Sequence, residues 1–136
     1  DLEVTGPITV TLYASSSAPD TDFTAKLVDV CPCGCIRNLT DGIIRARYRE
    51  SMATAKLIEP GRVYEYKIDL MATSNVFKTG HKIRIDISSS NFPRFDRNPN
   101  TGREPSEEVD LKPAVQTIFH DQEYSSCITL PIIPKR

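Results

Sequence analysis

The chain predicts an all-β fold, an antiparallel β-sandwich of jelly-roll type, and three observations carry that expectation. Apolar and polar residues alternate in short segments, turn-forming Gly, Pro, Asp and Asn collect between those segments, and there is almost no helix and no alternation of strand with helix. With 136 residues the chain suits one domain, expected over residues 1–136, and is long enough to bury a real core.

The strands follow in order. Ile8 to Ala14 places Ile8, Val10 and Leu12 on one face and Thr9, Thr11 and Tyr13 on the other, with Gly6-Pro7 marking its start. Residues 15–22 read as a polar turn carrying Pro19, Asp20 and Asp22. Phe23 to Val30 resumes strand character, and Cys31 to Gly34 is a tight turn. Asn38 to Gly42 ends in Asp-Gly, the strongest short turn signal in the chain. Ile43 to Arg49 then reads as a strand with Arg45, Arg47 and Arg49 along one face, expected to pair with carboxylates such as Glu65, Asp69 and Asp86 on neighbouring strands. Met52 to Leu57 suits one helical turn before Pro60-Gly61. Val63 to Leu70 aligns Tyr64, Tyr66, Ile68 and Leu70, and Ala72 to Thr79 reads as a connector whose Val76 and Phe77 plug the core.

Residues 80–102 are the stretch around which the rest is expected to be organised. Ile83, Ile85 and Ile87 fall on one face of a strand, Lys82, Arg84 and Asp86 on the other. From Ser88 the alternation stops and a constrained loop begins, with Phe92-Pro93 and Asn98-Pro99 favouring extended backbone before each proline. Phe92 and Phe95 are aromatic anchors, and Arg94, Asp96 and Arg97 are charges able to pair across the loop. An ordered loop so rich in side-chain chemistry is where function often sits, so Asn91, Phe92, Arg94, Phe95, Asp96, Arg97 and Asn98 form the candidate inter-domain or partner surface. An acidic, polar stretch over residues 102–113 follows. Val115 to His120 and Ser126 to Ile133 close the chain, with Pro131 arguing for an edge or a bulge.

Composition removes several function classes. With 17 basic against 18 acidic residues there is no field of one sign to draw in nucleic acid or anionic lipid, and no apolar run approaches a membrane span. The chain opens at Asp1 directly into strand pattern, with no charged-then-apolar leader, and reads as the continuation of something preceding it. Three of four cysteines crowd into Cys31, Cys33 and Cys35, which is not a spread disulfide framework and points to a reducing cytoplasm. A single residue between thiolates suits zinc poorly, so no metal or other cofactor is expected there. Asp20, Asp22 and Asp41 are oxygen donors of the kind calcium takes, though paired aspartates at a strand start are more commonly turn formers. No Gly-x-Ser-x-Gly elbow exists for a serine nucleophile, and His81 and His120 sit at strand ends, where a hydrogen-bonding cap is the expected role. There is no tryptophan, and Tyr48, Tyr64 and Tyr66 face inward on the pattern, which leaves little for a sugar platform.

Taken together, the opening 30 residues, NLTDGIIRARYRES, TSNVFKTGHKIRIDISSSNFPRFDRNPNTG and the closing TIFHD and ITLPIIP resemble the C-terminal domain of the X-Pro dipeptidyl-peptidase family, in its cocaine esterase-like (CocE/NonD) serine hydrolase branch. The resemblance implies a jelly roll like galactose-binding modules, packed on a preceding α/β-hydrolase domain, in cis or in trans, that holds the catalytic triad. No triad position matches here, so the implied role is that of a non-catalytic accessory domain framing substrate access, with subunit contacts and a homodimer as further partners. Ser90 to Asp96 and Asn98 match the family's signature loop, Asp22-Phe23 its strand start and Gly80-His81 its Gly-His turn. The family more typically carries a His-Pro-Asp-Gly-Arg-like turn where this chain has Cys31 to Ile36. A free-standing module that binds carbohydrate or a protein is the alternative reading.

Overall fold

β1 (Leu2–Ser16) is the seam of the molecule, and its even-numbered residues turn inward from Val4 to Ser16. The computed structural model describes residues 1–104 and 109–134. On one side of β1 runs β4 (Tyr64–Phe77), antiparallel, from Leu2 opposite Phe77 to Ala14 opposite Tyr64. On the other side β6 (Gln116–Phe119), β7 (Cys127–Thr129) and β8 (Ile132–Ile133) follow one another, pairing with residues 13–16, 9–11 and 3–4 of β1. The second sheet places β2 (Asp22–Val30) between β3 (Ile36–Arg45) and β5 (Lys82–Ser88), again antiparallel. The expected antiparallel sandwich is therefore the architecture, without barrel closure.

Between the sheets lie Val4, Ile8, Val10 and Leu12 of β1, Phe23, Ala25 and Leu27 of β2, and Tyr66, Ile68, Leu70 and Phe77 of β4. Each large side chain removed from water there contributes roughly 1.5–3 kcal/mol. The rings of Phe23 and Tyr66 meet at 4.7 Å between centroids in a tilted contact, and burial pushes the Tyr66 phenol up to about 12.

Several expectations give way. Gly6-Pro7 does not start β1 but lies within it. Residues 72–77 are not a connector. Pairing advances two residues on β1, from Pro7 to Thr9, while it advances three on β4, from Ala72 back to Asp69. The extra residue is a bulge at Met71, whose φ of 63° lies in the left-handed region, and Met71 N–H donates to Asp69 Oδ1 at 2.7 Å. The bulge shifts the inward phase from even to odd positions, so Phe77 is buried while Val76 is exposed. Asp41-Gly42 is mid-strand, opposite Lys26 and Ala25. Glycine is required there because a Cβ would collide with the Asp69 carbonyl. Thr40 Oγ1 donates to the neighbouring Leu70 carbonyl, so the β4 bulge and β3 meet backbone to side chain.

Residues 52–57 form no helical turn. The isoleucine strand is an edge strand, not a central one: Ile85 and Ile87 are half-buried and Ile83 is exposed. Pro131 separates β7 from β8, and its carbonyl accepts from Thr5 N–H at 3.0 Å, the edge irregularity its position predicts. Residues 105–108 of the acidic stretch lie outside the described residues.

Candidate functional site

The site is best built from β2 outwards. β2 begins at Asp22, directly opposite Arg45 at the end of β3. After Arg45 the chain leaves extended geometry for a 3-10 turn, Ala46–Tyr48, anchored by Ala46 N–H to the Thr21 carbonyl at 2.9 Å. That turn takes Arg47 and Arg49 off the face that a continuous strand would have given them. The expected arginine ladder facing Glu65, Asp69 and Asp86 is thus replaced by Arg45 on Asp22, Arg47 on Asp20 and Arg49 on Glu50 with the Ala46 and Lys56 carbonyls.

Arg45 grips Asp22 with two parallel hydrogen bonds, Nε to Oδ1 at 2.9 Å and Nη2 to Oδ2 at 3.0 Å. The hydrogen bonds it donates to Asp22 hold the guanidinium above its ordinary value despite its partial burial. Arg47 meets Asp20 through backbone N–H at 3.0 Å and Nε at 2.8 Å, and both side chains are almost wholly buried. The remaining Arg47 nitrogens reach Glu104 Oε1 at 3.1 Å and the Arg103 carbonyl at 2.7 Å. Asn98 lies between the two aspartates, its Nδ2 donating to Asp20 Oδ2 and Asp22 Oδ1, each at 2.9 Å. The two aspartates read as turn formers or calcium donors are thus occupied by guanidinium and amide donors. The third aspartate of that reading, Asp41, is held by Arg94 Nε at 3.0 Å and Asn91 Nδ2 at 3.0 Å.

The loop after β5 is consequently fastened to β2 and β3 from beneath. Its charges pair outwards to those strands rather than across the loop: Arg94 and Asn91 with Asp41, Asp96 with Arg45 at 3.4 Å, Asn98 with Asp20 and Asp22. Inside the loop, Arg97 lies 5.2 Å from the Phe92 ring centroid and Arg94 5.5 Å from that of Phe95. The Phe92-Pro93 peptide is cis. Of the seven candidate residues, Asn98 is buried, Asn91 and Phe95 are half-buried, and Phe92, Arg94, Asp96 and Arg97 are exposed, Phe92 by 62%. Met52 and Phe95, with Ile43, Ile44 and Tyr48 and, at its charged edge, Arg45 and Asp96, line a concavity of ≈ 200 Å³ beside the loop. The result is an apolar patch on a base held by buried ions.

At the opposite end of β2, His81 Nδ1 bonds Asp29 Oδ1 at 2.7 Å, the strand-end role expected of it, and Arg37 Nη2 holds Asp29 Oδ2 at 3.0 Å. Burial pulls the Asp29 carboxyl upward, but the hydrogen bonds and charges of His81 and Arg37 outweigh it and hold Asp29 below the usual carboxylate range. Cys31 and Cys33 are joined by a disulfide within the turn, while Cys35 and Cys127 are free. His120 lines an apolar groove of ≈ 290 Å³ with Val10, Ile85, Ile87 and Ile128. Among the described residues no helix is long and apolar enough to cross a membrane.

Sequence reasoning missed the network around Asp20 and Arg47. A signal for it was present: two aspartates spaced i, i+2 before one strand and two arginines spaced i, i+2 after its neighbour bring matching charges together when the strands pair antiparallel.

The profile of the X-Pro dipeptidyl-peptidase C-terminal non-catalytic domain matches residues 1–129. The chain is 54% identical over 138 residues to cocaine esterase from Rhodococcus sp. (strain MB1 Bresler), covering 98% of this chain and 24% of that protein. Among solved structures it superposes on an aminopeptidase from a marine sediment Thaumarchaeota archaeon with a TM-score of 0.87 at 36% identity, covering 98% of this chain and 24% of that one. An α-amino acid ester hydrolase gives a TM-score of 0.88 at 31% identity, with 97% and 24% covered. The chain thus spans about a quarter of the length of these relatives. By profile, identity and fold together, it belongs to the family of X-Pro dipeptidyl-peptidase C-terminal non-catalytic domains.

Proposed function

We propose that the chain is one accessory jelly-roll unit of a serine ester or peptide hydrolase, packing on an α/β-hydrolase catalytic domain and framing substrate access. The observation that carries this is the contrast within the signature loop. Its underside is tied to β2 and β3 by buried Asp20, Asp22 and Asn98, whereas its outer side leaves Phe92 exposed, with Met52 exposed nearby. A loop fastened so firmly while it presents apolar side chains suits a rigid docking surface, because little ordering entropy remains to be lost on contact. The same patch would draw two copies together wherever the catalytic domain is missing, which supplies the homodimer.

The chemistry would belong to the partner domain. Purified alone, the chain is expected not to turn over an activated ester, and turnover abolished by a serine-reactive inhibitor would overturn that. In the intact protein, Phe92→Ser with Met52→Ser is expected to split thermal unfolding into two transitions and to change KM for bulky esters more than for small ones. Unchanged unfolding and unchanged kinetics would remove the loop from the interface.

A further inference from the structure

We propose that the turn from Cys31 to Cys35 is a thiol–disulfide exchange site for low-molecular-weight thiols and their disulfides. Cys31 and Cys33 are bonded at a sequence separation of 2, and Cys35 follows as a free, exposed thiol. A cross-link closing so short a loop removes little chain entropy, so stapling the fold does not account for it. The turn is closed without it, by Gly34 N–H to the Cys31 carbonyl at 3.0 Å and Cys31 N–H to the Cys35 carbonyl at 2.9 Å, where β2 and β3 pair. Exposed disulfides that do no structural work are the labile ones.

The second observation is the setting. All three cysteines line one concavity of ≈ 360 Å³, of the size that takes a small ligand, and its other walls are Asp29, Arg37 and His81. Asp29 is held ionised, so the 2.7 Å contact is a hydrogen bond donated by His81 Nδ1. Arg37 is largely exposed and gives the concavity a cation for a carboxylate-bearing thiol.

The steps balance within the protein, the thiol and water. The incoming thiol loses its proton to water, and its sulfur attacks Cys33 Sγ. The Sγ–Sγ bond breaks, its electron pair leaves on Cys31 Sγ, and that sulfur takes up a proton. Cys35 gives up its proton and its Sγ attacks Cys33 Sγ, forming Cys33–Cys35; the small thiol leaves as a thiolate that takes up a proton, with no net oxidation. If a second small thiol attacks the mixed disulfide instead, Cys33 leaves as a thiol. The two-electron reduction of the turn is then matched by oxidation of two thiols to their disulfide.

Incubation of the intact protein with catalytic glutathione at pH 7, followed by acid quenching, alkylation and peptide mass spectrometry, tests this. Expected are a distribution between Cys31–Cys33 and Cys33–Cys35 and a transient glutathione adduct, no Cys33–Cys35 in Cys35→Ser, and no change in Cys127→Ser. Cysteines that stay in their starting state in reduced and in oxidised glutathione overturn the proposal. So does a large fall in melting temperature for Cys31→Ser/Cys33→Ser/Cys35→Ser, which would make the bond a structural staple, whereas an unchanged melt supports exchange.

Discussion

Arg47 and Asp20 meet twice, through the Arg47 backbone N–H to Oδ1 at 3.0 Å and through Nε to Oδ2 at 2.8 Å, with both side chains almost fully out of water. One residue thus supplies both a main-chain and a charged donor to the same carboxylate, fixing the 3-10 turn after β3 against the segment before β2. Removing one partner strips a buried charge of its main counter-ion. Asp20→Ala is expected to lower unfolding stability by about 3–5 kcal/mol. Asp20→Ala with Arg47→Met should recover a substantial part of that loss. Denaturant unfolding of both variants checks it, and a double variant as weak as the sum of its singles would show that the pair is not the source.

Asn98 is the link between this pair and the loop. Its amide nitrogen serves Asp20 and Asp22 together, and its Oδ1 accepts from Asn100 N–H at 2.9 Å, where φ is 61°. Asn98→Ala removes donors from two carboxylates, each bond to a charged group being worth about 1.5–3 kcal/mol. Asn98→Asp is expected to be worse, since it adds a carboxylate beside two others. Hydrogen exchange should show the loss spreading through residues 91–100 in both variants. Confinement of the effect to residues 98–100 would mean that the loop has another anchor.

At the far end of β2, Asp29 gives the stability a pH dependence. Its folded pKa lies below the unfolded one, because His81 and Arg37 bond the ionised form. The stabilisation is therefore fully present above the ordinary carboxylate titration, near about pH 4. It is lost as pH falls through the depressed folded value, because the unfolded chain binds the proton first. Asp29→Asn should accordingly be less stable than the parent at pH 7, with the gap narrowing through the acid range. Unfolding midpoints between neutral and acid pH measure this, and a gap of constant size would detach Asp29 from the acid response.

Period-two patterning carried the strand inventory, because alternation survives wherever one face of a strand is buried. It served for Ile8 to Ala14 and for Tyr64 to Leu70. It failed where a tertiary contact overrode a local rule. The β4 bulge at Met71 switches the inward phase, so Phe77 reads as belonging to a different element from Leu70. Arg47 escapes the pattern because the backbone turns at Ala46, and nothing in the alternation marks that turn. Ile83 to Ile87 shows the reverse error: clear alternation says that a face is apolar, not how completely the opposite sheet covers it.

Asp41-Gly42 is the sharpest of these cases and supports the last prediction. Asp-Gly between apolar runs is a strong hairpin signal because glycine tolerates positive φ. Gly42 has no such φ; it is needed because the β4 backbone passes directly over it, at the carbonyl of Asp69. Gly42→Ala must therefore push β3 from β4 and disturb the Thr40 hydrogen bond to Leu70 at the same place. A loss of about 1–3 kcal/mol or more is expected, since backbone can yield less than a side chain. At Gly34 and Gly61 an added Cβ would meet nothing within 4 Å, but both have positive φ, so alanine there adds strain without collision. Those variants should lose about 1 kcal/mol. Measured side by side, Gly42→Ala should be the most damaging. If it unfolds no more readily than Gly34→Ala, the close approach of β3 to β4 is not what selects glycine at this position.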